Sequence, residues 1–314
     1  METRKVIRFG NSSFVISLPK EWLKKYNLEK GSQVYLKENG NGAIELTAQF
    51  KEEEPMQKRI IIKIDGKEIG RIQREIISAY INDYAIIEID GKTLNKHEQR
   101  IREIIKDKLV AIEVLEQTNQ KVIMKSFLEY RNISIESVIK RMDILVKSMF
   151  YDLKNFDKEE LSENIVQRDI DIDRLFFLLQ RTIRHTLSIL RPTNEEERIN
   201  LLRLWDLSCC IERIADDIKR TARFLKDITK EKETLTQIIG LVNKLEEDYN
   251  QTMKAYYTKD VDLAFTLSCR KGIVAKQCDE VFHMNPGKKG VPLVTETLKD
   301  ICAFTHRLGR GVYG

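Results

Sequence analysis

Hydrophobic and polar positions along this chain change period twice. From residue 1 to about 49 the pattern alternates in short runs. RKVIRF and SSFVISL read as strands, KEWLKKY after Pro19 as a short helix, and QVYLKEN and AIELTA as two further strands around a Gly-rich turn. Residues 50–57 hold Lys51, three glutamates and Pro55, a charged linker. Between 58 and 130 strand and helix patterns alternate. RIIIKI, YAIIEI, VAIEVLE and KVIMKSF are strands, and the stretches after Gly66 and Leu94 are helices. That β-α-β-α-β-β order implies a small α/β domain. From 131 to 314 apolar residues recur at helical spacing. Six helices are expected, at Ser134–Asn155, Lys158–Leu190, Asn194–Asp227, Glu231–Lys259, Val261–His283 and Pro292–Gly311.

The second of these helices is the most informative. Ile165, Ile172, Leu175, Phe176, Leu179, Ile183 and Leu187 form one buried stripe. Asp169 and Asp173 stand one turn apart, so both carboxylates leave the helix on one side. The next helix repeats the spacing with Glu212 and Asp216. If the two helices pack antiparallel, the four carboxylates converge on one patch. Oxygen-rich patches suit hard or borderline cations. Acids at this spacing are equally read as solvated surface, partnered by Arg168, Arg174, Arg213 and Lys219.

RDIDIDRLFFLLQR followed by CCIERIADDIKR resembles the PhoU family, from about Ile133 to Gly314. The resemblance implies an all-α six-helix bundle of two three-helix repeats, with paired acidic motifs that bind multinuclear metal in some members. Asp169, Asp173, Glu212 and Asp216 match the first repeat's motifs, and the expected cofactor is a divalent or trivalent metal (Fe, Zn, Mg or Mn). The second repeat keeps only Asp279. Ala275 replaces its partner, and His306 and Arg310 stand at the last pair, so Arg307 and Arg310 form a basic end.

The N-terminal fifty residues are too few to bury a proper core alone, and dimerisation is the natural remedy. RKVIRFGNSSFVISLPKEWLKKYNLEKGSQVYL resembles the SpoVT-AbrB swapped-hairpin family, marked by Gly10, Ser12, Ser13, Ile16, Leu18, Pro19, Leu28 and Gly31. This implies an intertwined dimeric β barrel that binds DNA, with Arg4, Lys5 and Arg8 at the hairpin start and Lys20, Lys24 and Lys25 nearby. The local charge agrees. Seven basic side chains (these six and Lys30) face three acidic ones (Glu2, Glu21, Glu29). REIISAYINDYAIIEI and LVAIEVLEQ resemble the middle region of archaeal proteins that join an AbrB-type head to a PhoU-type tail. The chain therefore reads as multidomain α+β: a swapped-hairpin head (1–49), a linker (50–57), a small α/β domain (58–130) and a PhoU-like bundle (131–314).

Composition narrows the classes. With 54 basic and 49 acidic residues the net charge is +5, so any nucleic-acid surface is local. No signal-peptide pattern and no run of 18 apolar residues is present, and a cytoplasmic protein without membrane insertion is expected. Five cysteines without a C-x-x-C pair read as buried thiols. A carboxylate redox bundle needs two Glu-x-x-His motifs, and only Glu280 with His283 supplies one. No serine or cysteine triad signature occurs, so the chain is not read as an enzyme. The function these features imply is a DNA-binding transcriptional regulator of phosphate uptake, with the tail sensing or relaying phosphate status. The alternative is an adaptor that does not bind DNA and restrains a phosphate ABC transporter or a sensor kinase. A third possibility, an antitoxin, is disfavoured by the long folded tail.

Overall fold

The computed structural model describes residues 3–39, 43–48, 58–155, 159–190 and 194–313. The expected linker, 50–57, lies outside the described residues. The chain divides into two compact units, Met1–Met56 and Gln57–Gly314.

The first unit is two antiparallel hairpins with a helix between them in sequence. β1 (Ile7–Phe9) pairs with β2 (Ser13–Val15), Ile7 opposite Val15, and Gly10 takes φ +70° in the turn. α1 spans Lys20–Lys25 after the extended Pro19. β3 (Tyr35–Asn39) pairs with β4 (Ala43–Thr47). None of its described residues is buried.

The second unit has two cores that touch through one helix. Its α/β part runs β5 (Arg59–Lys63), α2 (Ile69–Ile81), β6 (Ile86–Asp90), α3 (Leu94–Lys108), β7 (Ile112–Gln117) and β8 (Lys121–Ser126), the order expected from sequence. The sheet order is β5-β6-β8-β7, with β5 and β6 parallel and the other pairs antiparallel. Alternation decides its faces: Ile62, Ile64, Ile87 and Ile89 turn inward against Ile72, Ile76 and Ile101 of the helices.

The helical part comprises α4 (Ile135–Lys154), α5 (Glu159–His185), α6 (Glu195–Leu225), α7 (Lys232–Thr258), α8 (Val261–Ser268), α9 (Lys271–Met284) and α10 (Val291–Tyr313). Ser134, Asn194 and Asp260 cap α4, α6 and α8 by accepting from the first-turn amides. The helix expected over Val261–His283 is in fact two, broken at Cys269 and Arg270. Gly272 just beyond disfavours continuous helix, and Arg270 turns away to reach Asp248 at 3.2 Å. α5 also ends early, at His185, and Thr186–Leu190 winds on as a π-helical turn. Cys210, Cys278 and Cys302 are buried, whereas Cys209 is half-buried and Cys269 is exposed, against expectation. No helix among the described residues is long and apolar enough to cross a membrane.

α5 has two faces. The expected stripe of Ile165, Ile172, Leu175, Leu179 and Ile183 lies in the bundle core, with Phe176 and Leu187 packed against it. A second stripe, Asp173, Phe177, Arg181 and His185, meets the α/β part. Phe177 enters that part's apolar core. Arg181, only 1% exposed, donates to Tyr80 O at 2.9 Å, to Tyr84 O at 3.2 Å and to the Tyr130 hydroxyl at 2.6 Å. It also lies 3.0 Å from Asp83, and its guanidinium covers the Tyr80 ring at 4.7 Å. Asp83 further takes the Tyr130 hydroxyl and the His185 ring, with Nδ1 at 2.7 Å. The His185 ring stacks on Tyr130. Asp83 ends α2 in the left-handed region, φ 63°. Glycine would relax that backbone, but it would delete the carboxylate that Arg181, Tyr130 and His185 share.

Removing one partner of a buried pair strands the other. Arg181→Met is therefore expected to cost about 3–5 kcal/mol, and Tyr130→Phe about 1 kcal/mol. Urea unfolding of the full chain measures both.

Candidate functional site

Two clusters carry chemistry. The first is in the N-terminal unit. Strand parity separates Ile7 and Phe9 from Arg8, so β1 has an apolar and a basic side. Arg8 is held loosely, 3.4 Å from Asn11 O. On α1, Lys20 and Lys24 are one turn apart. Lys25 lies 5.6 Å over the Tyr26 ring, which itself meets Trp22. Arg4, Lys5, Arg8, Lys20, Lys24 and Lys25 are all exposed, as phosphate contacts require. Val6, Ile7, Phe9, Phe14, Ile16, Leu36 and Ile44 are exposed as well, Phe9 and Phe14 by about 70%. A single copy leaves its apolar residues uncovered.

The second cluster is the acidic patch. α5 and α6 pack side by side in the bundle and bring Asp169, Asp173, Glu212 and Asp216 within electrostatic reach of one another. Lysines stand among them. Lys219 Nζ lies 2.7 Å from Asp169 and 2.9 Å from Asp216. Lys108, at the end of α3, binds Asp173. Of the cations expected as partners, Lys219 does pair here, and Arg213 sits 3.9 Å from Asp216. Arg168 turns instead to the buried Asp152, and Arg174 donates to Leu109 O at 3.2 Å. Lys108 is not legible from the helical region, since it comes from another part of the chain.

Burial sets the electrostatics. Asp169 is 6% exposed, and desolvation raises its pKa against the opposing pull of Lys219. Burial disfavours the Lys219 ammonium, but its bonds to Asp169 and Asp216 outweigh this and raise its pKa. Glu212 makes no hydrogen bond or ion pair among the described residues. Desolvation, then Asp173 and Asp216, push its pKa to about 7. The donors are chemically suited to a hard cation, but the arrangement is not that of a metal shell. Among the described residues no group of three or more His, Cys, Asp or Glu is placed to hold a metal ion. In the expected second repeat, Asp279 pairs with Lys299. At the expected basic end, Arg307 pairs with Asp206.

A carboxyl whose pKa is raised on folding stabilises the fold below its unfolded pKa, and that contribution is lost as pH rises through the folded value. For Glu212 the window runs from the ordinary glutamate range, near 4.5, to about 7. Glutamine keeps the neutral form at every pH. The Glu212→Gln variant is expected to match the wild type at pH 4.5 and to have the higher thermal midpoint at pH 8. Midpoints of the two chains at both pH values check this.

Comparison with known proteins bears on both clusters. A family model described as antidote-toxin recognition MazE, bacterial antitoxin, matches residues 7–54. The PhoU domain model matches residues 139–225, which contain all four patch carboxylates. Among solved structures the chain is similar to PhoU from Pseudomonas aeruginosa, at 16% identity and a TM-score of 0.47, over 57% of this chain and 93% of that one. No curated protein matches. The chain thus carries a MazE/AbrB-type domain over residues 7–54 and a PhoU domain over residues 139–225.

Proposed function

We propose that this protein is a homodimeric, non-catalytic DNA-binding regulator of phosphate uptake. The N-terminal domain binds DNA, and the PhoU domain senses or relays phosphate status. One observation carries the first half. The N-terminal unit exposes apolar strands and six cations together, with no described residue buried. A second copy covers the apolar side and doubles the basic one. The PhoU match supports the second half.

The test uses the full chain, its own upstream duplex and a scrambled duplex, over a series of salt concentrations. Arg4→Ala/Arg8→Ala is expected to weaken binding to both duplexes and to reduce the salt slope by about 1 for each phosphate no longer neutralised. Phe14→Asp is expected to lower the sedimentation mass from dimer to monomer. Unchanged affinity and slope in the arginine variant would transfer the reading to a phosphate transporter or sensor-kinase adaptor, in which the N-terminal domain only dimerises.

The acidic patch enters this reading as a cation competitor's site, in which a bound divalent ion takes carboxylates that Lys108 and Lys219 now hold. Millimolar Mn²⁺ is expected to raise the thermal midpoint of the wild type and not that of Asp173→Asn/Glu212→Gln. Equal midpoints with and without Mn²⁺ in the wild type would make the patch a lysine-neutralised packing contact.

A further inference from the structure

The α/β part has no role in the reading above, yet it carries a groove of about 640 Å³ between β5 and α2. β5 is an edge strand of the sheet. Its bonding parity is fixed by its ends. Lys58 O accepts from the Ala85 and Ile86 amides, and the Ile64 amide donates to Asp90 O. In a parallel ladder the even residues therefore face β6, and Arg59, Ile61 and Lys63 turn their N–H and C=O groups outward. Among the described residues no strand pairs with that edge. Ile61 is 52% exposed.

The groove also carries an excess of positive charge. Lys63, Lys67, Arg71 and Arg74 line it with one carboxylate, Glu75, and Lys63 is itself paired with Asp90 of β6. Glu75 is shared by Lys67 at 2.6 Å and Arg71 at 2.9 Å. Arg74 has no ion pair among the described residues. Lysine on an edge strand is an ordinary guard against unwanted pairing. That explains Lys63 but not the three cations, Lys67, Arg71 and Arg74, that face it from α2 and the turn before it.

We infer that this groove receives an extended acidic peptide segment of a partner protein, which adds to β5 as a fifth strand of the sheet. The open edge supplies backbone hydrogen bonds, and α2 supplies cations for alternate side chains. Five residues of β5 set the length of the contact. A second copy of this chain is the poorer occupant. Antiparallel self-pairing centred on Ile61 sets Arg59 opposite Lys63 of the copy, and like charges directly opposite repel.

The experiment uses the full chain and a capped, fluorescein-labelled hexapeptide of alternating glutamate and valine. A peptide alternating glutamate and proline carries the same charge but cannot form the ladder. Saturable binding of the first peptide is expected, about tenfold weaker for the proline peptide and for Arg71→Glu/Arg74→Glu. Both substituted residues are exposed and lie outside the two cores, so the fold is retained. Hydrogen exchange of the 58–64 segment is expected to slow on binding. Ile61→Pro removes one outward amide without touching the β6 ladder, and it should weaken binding likewise.

Three results would overturn the proposal. One is absence of binding at millimolar peptide. Another is equal binding of both peptides, or of a short DNA duplex at this face, which would make it a general anion surface. The third is a fall in sedimentation mass in the Arg71/Arg74 variant without peptide binding, which would make it a contact between copies. None of these touches the N-terminal reading, whose variants lie in the other unit.

Discussion

A guanidinium cannot be dehydrated unless its charge and its donors are all answered, and the second unit depends on one that is. Arg181 is 1% exposed, and its partners are two backbone carbonyls, a tyrosine hydroxyl, an aromatic face and Asp83. The carbonyls of Tyr80 and Tyr84 flank the left-handed Asp83, where α2 ends. The Tyr80 carbonyl belongs to the last turn of α2 and also accepts from the Asp83 amide at 3.1 Å, and the Tyr84 carbonyl lies just beyond the helix. Arg181 therefore closes the end of α2, and the position of α2 fixes where the edge strand and its groove lie. An interaction of this kind is a specifier more than a source of net stability, because desolvation consumes much of the attraction. Apolar side chains in its place would remove this polar tie between the end of α2 and α5.

The same helix face connects that joint to the acidic patch. Asp173 lies two turns before Arg181 on α5, and its partner Lys108 closes α3. Any event that changes the charge state of the patch acts on an ion pair between the two parts. Glu212 makes this sensitive, since its carboxyl titrates near neutrality and pushes electrostatically on Asp173. A proton or a cation at the patch changes the pull on Lys108.

Much of this is legible in the sequence, because periodicity survives without tertiary knowledge. Every strand of the α/β part and the apolar stripe of α5 are where alternation and helical spacing place them. The four carboxylates do come together, as the twin spacing implies. What escapes has a physical cause in each case. Lys108 is distant in sequence from the patch, and charge runs carry no record of their partners. Arg181 stands singly between Gln180 and Thr182 near the end of α5, with nothing local to mark it as buried, although Phe177 one turn earlier, off the main stripe, marks a second buried face. The break at Cys269 depends on a modest helix penalty at Gly272 and a tertiary ion pair, and only the former is local. The groove beside β5 has no sequence signal at all, because strand order decides which strand is an edge.

The N-terminal unit shows the converse limit. Its hairpins have good local signals, including Gly10 at positive φ and strands of branched and aromatic residues, yet they enclose nothing among the described residues. Local propensity specifies a hairpin but cannot stabilise one in water without an apolar face to bury. Phe9 and Phe14, each about 70% exposed, represent burial still to be gained. Burying a phenylalanine is worth about 1.5–3 kcal/mol, so two copies closing over four of them gain a large fraction of a small domain's stability. In the proposed dimer, folding and association of this unit are one equilibrium, dependent on protein concentration. The cations of each copy are also brought near those of the other. On the proposed reading, polyanion binding relieves their mutual repulsion and couples dimer stability to DNA.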